Sequence, residues 1–298
     1  MRPTTEPLTL NALLRADGID LREVLVFRHR PWEQRLNQNF DSIVARRRDL
    51  LDCYQSTHGP HTESALKRAK YVASFIRYRP KKALFIGLFG VDSCKPLSVF
   101  EYQDRPLHRE LMALGMGGHK ASDGREHVLE FSLPATGWRE DWSERLIIEW
   151  PGLERSWYRW ADRNTFNVHA IAEESRLISP MPPWDQLVLD WDQLRMLSDA
   201  WQAELSKWRG IYLIIDQSDG LQYVGSAYGR DNLLQRWQEY ARTGHGGNKA
   251  LRPRDPTNFR FSILQRTSPD LAPDDVTAIE NSWKVRLRSR CPDGLNEN

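Results

Sequence analysis

Three cysteines in 298 residues, Cys53, Cys94 and Cys291, are too few and too scattered for a disulfide framework, and no C-x-x-C pair marks a zinc cluster. Cys53, His58 and His61 invite a metal reading by spacing, but no fourth ligand accompanies them. The scarcity fits a reducing compartment. Long apolar runs are also missing. Nothing approaches the ~20 residues of a membrane span, and the start MRPTTEPLTLNALLRADG lacks the apolar centre of a secretory signal. A cytoplasmic protein is expected. An excess of one charge is missing too: the formal net charge is +2, with 13 basic and 11 acidic residues beyond residue 208 and 29 of each before it. Neither half is a basic arm, so affinity for nucleic acid must come from local patches.

A chain of this length can bury two cores. The clearest break is Ser179-Pro180-Met181-Pro182-Pro183, which suggests an N-terminal domain over 1–178, a linker over 179–197 and a C-terminal domain over 198–298. The expected class is α+β throughout. In the first part, patterning predicts helices over 8–15, 40–54 and from 63 to about 76, and a strand over 23–27. The apolar run 83–91 reads as a buried strand, with further strands at 97–102, 127–132, 144–150 and 166–171. Short strands between turn-rich loops imply a small curved sheet or barrel packed by flanking helices.

The C-terminal part is more informative. GIYLIID, from Gly210, and LQYVGSA, ending at Ala227, are two strand-like segments joined by Asp216-Gln217-Ser218-Asp219-Gly220, a linker suited to closing a hairpin. Each strand carries a tyrosine, Tyr212 and Tyr223. A helix is expected from Asp231, on which Arg236 and Tyr240, four apart, share a face. A second helix near Pro273 has Val276, Ile279, Trp283 and Leu287 as its apolar stripe and Glu280 beside it, and the chain closes with Gly294-Leu295-Asn296. Taken singly, these residues also read as packing tyrosines, solvated helix charges and a terminal amide. Their order is what speaks.

That order resembles the GIY-YIG nuclease superfamily over about residues 198–298. The resemblance implies a small mixed sheet flanked by helices, with Tyr212, Tyr223, Arg236, Tyr240, Glu280 and Asn296 as the catalytic set. It implies that Glu280 holds one Mg²⁺ or Mn²⁺, a hard cation satisfied by a carboxylate and waters, and that Arg236 grips the scissile phosphate through its planar fork. Tyr212 is then the general base, a phenol activated by nearby cations; Tyr223 and Tyr240 hydrogen-bond the phosphate or the water, and Asn296 braces the site from behind. Repair nucleases of the superfamily carry a lysine after the YIG glycine, where this chain has Ser226.

Several patches read as nucleic-acid contacts. Residues 242–266 hold six basic residues against Asp255, and within them the glycine-rich Thr243–Lys249 stretch exposes backbone N–H groups; His245, Asn248, Lys249 and Arg252 are the candidates. Residues 64–91 hold seven basic residues and no acidic one. Arg77, Arg79, Lys81 and Lys82 are candidates for phosphates, with Tyr71, Phe75 and Tyr78 as stacking rings. Lys284, Arg286, Arg288 and Arg290 are spaced around a helix and read as solvated. Trp157 and Trp160 are candidates for a pocket around an extruded base, a use loosely similar to PUA-like domains.

The reading is a metal-dependent DNA endonuclease, a restriction or defence enzyme whose N-terminal domain selects the target, modified DNA among the target classes. A non-catalytic nucleic-acid-binding protein and a repair or recombination nuclease are the alternatives. Double-strand cleavage requires a homodimer or sequential nicking.

Overall fold

The computed structural model describes residues 7–153, 156–177, 180–229 and 232–297. The chain divides into two compact units, residues 1–178 and 179–298. Ser179 of the expected linker and Asp231, the expected helix start, lie outside the described residues.

The first unit opens with α1 (Leu10–Ala16), β1 (Val24–His29), α2 (Gln34–Arg46), α3 (Arg48–Ser56) and α4 (Pro60–Leu66). It continues through β2 (Tyr71–Arg77), β3 (Lys82–Gly90), β4 (Ser93–Ser98), α5 (Val99–Asp104) and α6 (Pro106–Ala113). Then come β5 (His127–Ser132), β6 (Leu146–Glu149), β7 (Tyr158–Trp160) and β8 (Val168–Ile171). Six strands form one sheet in the order β7-β1-β2-β3-β6-β8, with β4 and β5 paired separately. Only β1 and β2 run parallel. Among the described residues the sheet is open, not a closed barrel.

Three expectations in this unit are corrected. The helix expected to reach Ile76 stops at Leu66, because the following β-branched and aromatic run is claimed by the sheet: β2 pairs with β1 on one side and β3 on the other. Phe75 is consequently buried against Phe85, with ring centroids 5.2 Å apart, and cannot stack bases. The strand expected at 97–102 gives way to α5. A capping box explains this: Glu101 N–H donates to the Ser98 hydroxyl, and Ser98 N–H to the Glu101 carboxylate. The single helix expected at 40–54 is broken at Arg47, whose guanidinium is held by Asp49 and Glu110.

The second unit contains β9 (Val188–Asp190), α7 (Trp191–Arg195), α8 (Asp199–Leu205), β10 (Gly210–Asp216) and β11 (Gln222–Ala227). It ends with α9 (Asn232–Thr243), β12 (Phe259–Arg266) and α10 (Pro273–Arg286). Its sheet runs β11-β10-β12-β9 and is antiparallel at every pairing, where a mixed sheet was expected. Residues 188–195, expected within the linker, supply the edge strand β9 and helix α7 of this unit.

β10 is apolar at nearly every position because both of its faces are covered. Tyr212 and Ile214 face α9, joining Leu233, Trp237, Tyr240 and Phe261. Ile211 and Leu213 face α10, joining Val224, Val276, Ile279 and Trp283. β11 is the last strand of the sheet, and its outer side is covered at Gln222 and Val224 by Leu295 and Asn296. That edge is where polar groups from both faces can meet.

Candidate active site

A cleft of about 500 Å³ lies along the β11 edge, lined by Tyr212, Tyr223, Ser226, Gln235, Arg236 and Glu280 among others. Alternation along β10 points Tyr212 to the α9 side, and helical spacing brings Arg236 and Tyr240 over it. Arg236 Nε donates to Tyr212 Oη at 3.0 Å, and the Tyr212 and Tyr240 hydroxyls are 3.1 Å apart. The guanidinium also lies 5.1 Å from the Tyr240 ring centroid. Tyr223 completes the group, its ring centroid 6.5 Å from those of Tyr212 and Tyr240.

The motif glycine has a physical cause here. Tyr212 and Gly225 are direct cross-strand partners. A Cβ on Gly225 would lie 2.4 Å from Tyr212 Oη, so the space a side chain would need holds the hydroxyl. Gly246, at φ +53°, does the same for Tyr240, whose ring would be 2.5 Å from an added Cβ. Glycine at 225 and 246 is therefore part of how the tyrosines are set.

Glu280 reaches the cleft from α10. One carboxylate oxygen accepts from the Ser226 hydroxyl and the other pairs with Lys284 Nζ at 2.8 Å. Lys284 is buried, at 5% exposure, and this corrects its reading as a solvated charge. The i, i+4 spacing of a glutamate and a lysine was the available signal. The Glu280 carboxylate thus has a buried ammonium from its own helix on one oxygen and the Ser226 hydroxyl on the other.

Burial, then the neighbouring Tyr223, push the Tyr212 phenol well above its usual range; Arg236 and a hydrogen bond with Tyr240 pull it back only in part. Burial raises Tyr240 in the same way. Both hydroxyls are therefore protonated at neutral pH, and Tyr212 is a hydrogen-bonding phenol before any ligand arrives. Burial opposes the charge on Arg236, but the surrounding tyrosine oxygens outweigh it and the guanidinium stays cationic. Among the described residues, no carboxylate lies within ion-pair distance of it.

Asn296 is buried behind β11. Its side-chain amide behaves like one more strand residue: Oδ1 accepts from Val224 N–H at 2.9 Å and Nδ2 donates to Val224 C=O at 2.8 Å, while Ser289 Oγ donates to Oδ1 at 2.7 Å. Asn296→Ala strips partners from a buried N–H and a buried C=O. We expect it to cost about 2–3 kcal/mol, read as a lower urea midpoint; an unchanged midpoint would show the brace to be idle.

The remaining candidates differ in what holds them. His245 Nδ1 accepts from Gly247 N–H, and Asn248 Oδ1 accepts from Ala250 and Leu251 N–H, so both shape the loop. Arg254 is spent on Asp216 and Asp219 in the hairpin turn. Lys249 and Arg252 are exposed. In the first unit Arg77, Arg79, Lys81 and Lys82 cluster at the β2–β3 turn, with Arg79 over the Tyr78 ring and Lys82 Nζ 2.6 Å from His169 Nε2. Trp157 lines a separate cleft in that unit, whereas Trp160 packs beneath the Arg68 guanidinium and does not line it.

Does the site suit a divalent cation? Among the described residues no cluster of three or more His, Cys, Asp or Glu could cage one. What the cleft offers is the Glu280 carboxylate with hydroxyl oxygens nearby. Ser226 and Lys284 use two of the roughly four lone-pair positions of the carboxylate, leaving two. Hard oxygen donors and an open surrounding fit a cation that keeps most of its waters.

Residues 209–295 match the GIY-YIG catalytic domain family. This stretch of the C-terminal unit is a domain of the GIY-YIG type. Two solved structures are similar to it, the catalytic domain of the homing endonuclease I-TevI and a point mutant of that domain. They are 26% and 24% identical, cover 30% of this chain and 98% and 94% of their own, and give TM-scores of 0.26 and 0.25. No curated protein matches the chain. No helix among the described residues is long and apolar enough to cross a membrane.

Proposed function

We propose that the protein is a metal-dependent endonuclease that hydrolyses DNA phosphodiester bonds in the β11-edge cleft, a restriction or defence enzyme whose first unit selects the target. The observation that carries the reading is Arg236: a guanidinium kept cationic among tyrosine hydroxyls, opening on the same cleft as Glu280. An unspent planar cation in a concave polar site suits a phosphodiester, whose two free oxygens match its fork. Glu280 would hold Mg²⁺ or Mn²⁺. A cation held there neutralises charge on the phosphate and the leaving oxygen and acidifies neighbouring water.

In this reading Arg236 binds and orients the phosphate, and Tyr212 holds the attacking water through its hydroxyl oxygen. Because burial keeps Tyr212 protonated in the free protein, its role as general base depends on the occupied site. Tyr223 and Tyr240 complete the hydrogen bonds around the phosphate. Lys284 and Ser226 fix the Glu280 carboxylate. Lys249 and Arg252, with Arg77, Arg79, Lys81 and the half-buried Lys82 at the β2–β3 turn, are the cations suited to the rest of the DNA backbone.

Target selection is tested by incubating the protein and Mg²⁺ with unmodified, methylated and hydroxymethylated DNA of one sequence. We expect rates to differ by at least about tenfold between one pair of substrates, the scale of a specific contact worth 1–3 kcal/mol. Equal rates on all three would reject modification as what the first unit reads.

A further inference from the structure

A second cleft, of about 610 Å³, lies wholly within the first unit and is walled by aromatic and imidazole rings. The Trp157 and His58 rings are 5.4 Å apart between centroids and tilted by 31°, and Phe27 touches both, at 5.0 and 5.3 Å. His29 and Tyr54 meet edge-on at 5.5 Å. Tyr102 and His119 stand across the cleft, 5.1 Å apart. Its mouth is formed by two loops, Arg30–Glu33 and Gly115–His119, tied together where Gly117 N–H donates to Glu33 Oε1 at 3.0 Å.

Beside the buried Arg28, the two inner imidazoles are oriented alike. His58 Nε2 donates to Gln55 C=O at 2.8 Å, and His29 Nε2 donates to Ser74 Oγ at 3.0 Å while that hydroxyl donates to Gln55 Oε1. Each imidazole therefore keeps Nδ1 as an acceptor. Burial drives the His29 pKa down to about 3 and that of His58 to about 4, so both rings are neutral at physiological pH. At the mouth, Trp32 is 86% exposed beside the exposed Arg30. An indole left in water at a cleft mouth is a ready stacking surface, and Arg30 supplies a cation for a backbone phosphate.

We infer that this cleft takes a nucleobase extruded from a DNA duplex, stacked on Trp157 with its N–H edge turned to the imidazole acceptors, while Trp32 and Arg30 hold the strand outside. Walls of flat rings match the π-face of a base, and the volume lies in the range of small-ligand sites. This rests on the reading of the chain as a DNA endonuclease, since it names how the first unit would read its target. Unstacking a base costs least where its pair is already weak, which gives a direct test.

The test measures, by fluorescence anisotropy in EDTA, the binding of the full chain to two labelled duplexes of one sequence, fully paired or carrying a single mismatch. We expect the mismatched duplex to bind about tenfold more tightly. Trp157→Ala should abolish that preference and leave paired-duplex affinity within about twofold. Trp157 touches Phe27 and His58, so Trp32→Ala, at an exposed position, serves as the second variant and should weaken the preference without disturbing the fold. Equal binding of the two duplexes by the parent, or a preference that survives both substitutions, would overturn the inference. So would competition by free nucleoside 5′-monophosphates together with indifference to pairing. A parallel assay with Mg²⁺ separates the two readings: cleavage without mismatch preference rejects the base cleft alone, and mismatch preference without cleavage of any duplex rejects the nuclease reading alone.

Discussion

Arg236→Ala is expected to lower the DNA cleavage rate by about 10³-fold, the scale of losing a charged donor aimed at a transferring phosphoryl group. Arg236 is cationic, hydrogen-bonded to the Tyr212 hydroxyl and layered on the Tyr240 ring. Among the described residues no carboxylate neutralises it, so its charge is available to a ligand. Arg236→Lys keeps the charge but loses the fork and the stacking geometry, and should recover no more than about tenfold of the loss. The two hydroxyls left behind remain bonded to each other at 3.1 Å, so the fold should survive, and thermal unfolding of the variant is the control. An Arg236→Ala enzyme within threefold of the parent (about 0.7 kcal/mol) would remove Arg236 from phosphate binding.

Gly225→Ala is the second large effect. A methyl group there would meet Tyr212 Oη at 2.4 Å and Cζ at 2.5 Å, closer than any real contact allows. Tyr212 is fully buried between β11 and α9, so its ring cannot swing into solvent to make room. Either the strands separate locally or the ring tilts away from Arg236. Overpacking of this kind costs about 1–3 kcal/mol, and a reacting group displaced by about 1 Å costs about 10²-fold in rate. The double variant Gly225→Ala, Tyr212→Phe separates the terms: removing the hydroxyl should restore part of the stability and none of the activity. Wild-type activity in Gly225→Ala would mean that the hydroxyl position is immaterial.

The contrast between the two halves shows what a sequence makes legible. The tyrosines, Arg236, Glu280 and Asn296 could be named because their order along the chain resembles the GIY-YIG pattern, and that order is unchanged by folding. Gly225 and Lys284 were less visible. The need for a glycine at 225 arises only when strand register sets it opposite Tyr212, and the burial of Lys284 only when α10 packs on β11. In the first unit the helix expected to 76 failed because 71–77 is the strand between β3, reached through the turn at 78–81, and β1, some forty-seven positions earlier in the paired register of Val24 with Tyr71. A parallel partner leaves no local turn signal. The ring-lined cleft is hidden for the same reason: His29, His58, His119 and Trp157 meet only through the fold. Trp157 was named as a pocket residue, but its companions there are histidines, with Trp160 elsewhere.

The most direct test of the central claim compares cleavage by the parent and by Glu280→Gln on one DNA substrate over a Mg²⁺ titration, with EDTA as the zero point. Glutamine keeps the shape and can still meet Ser226, but it surrenders the charge that pairs with Lys284 and would hold a cation. The account predicts saturable Mg²⁺-dependent cleavage by the parent, none in EDTA, and a loss of at least about 10²-fold in the variant at every Mg²⁺ concentration. Cleavage by Glu280→Gln at the parental rate, or parental cleavage indifferent to EDTA, would contradict it.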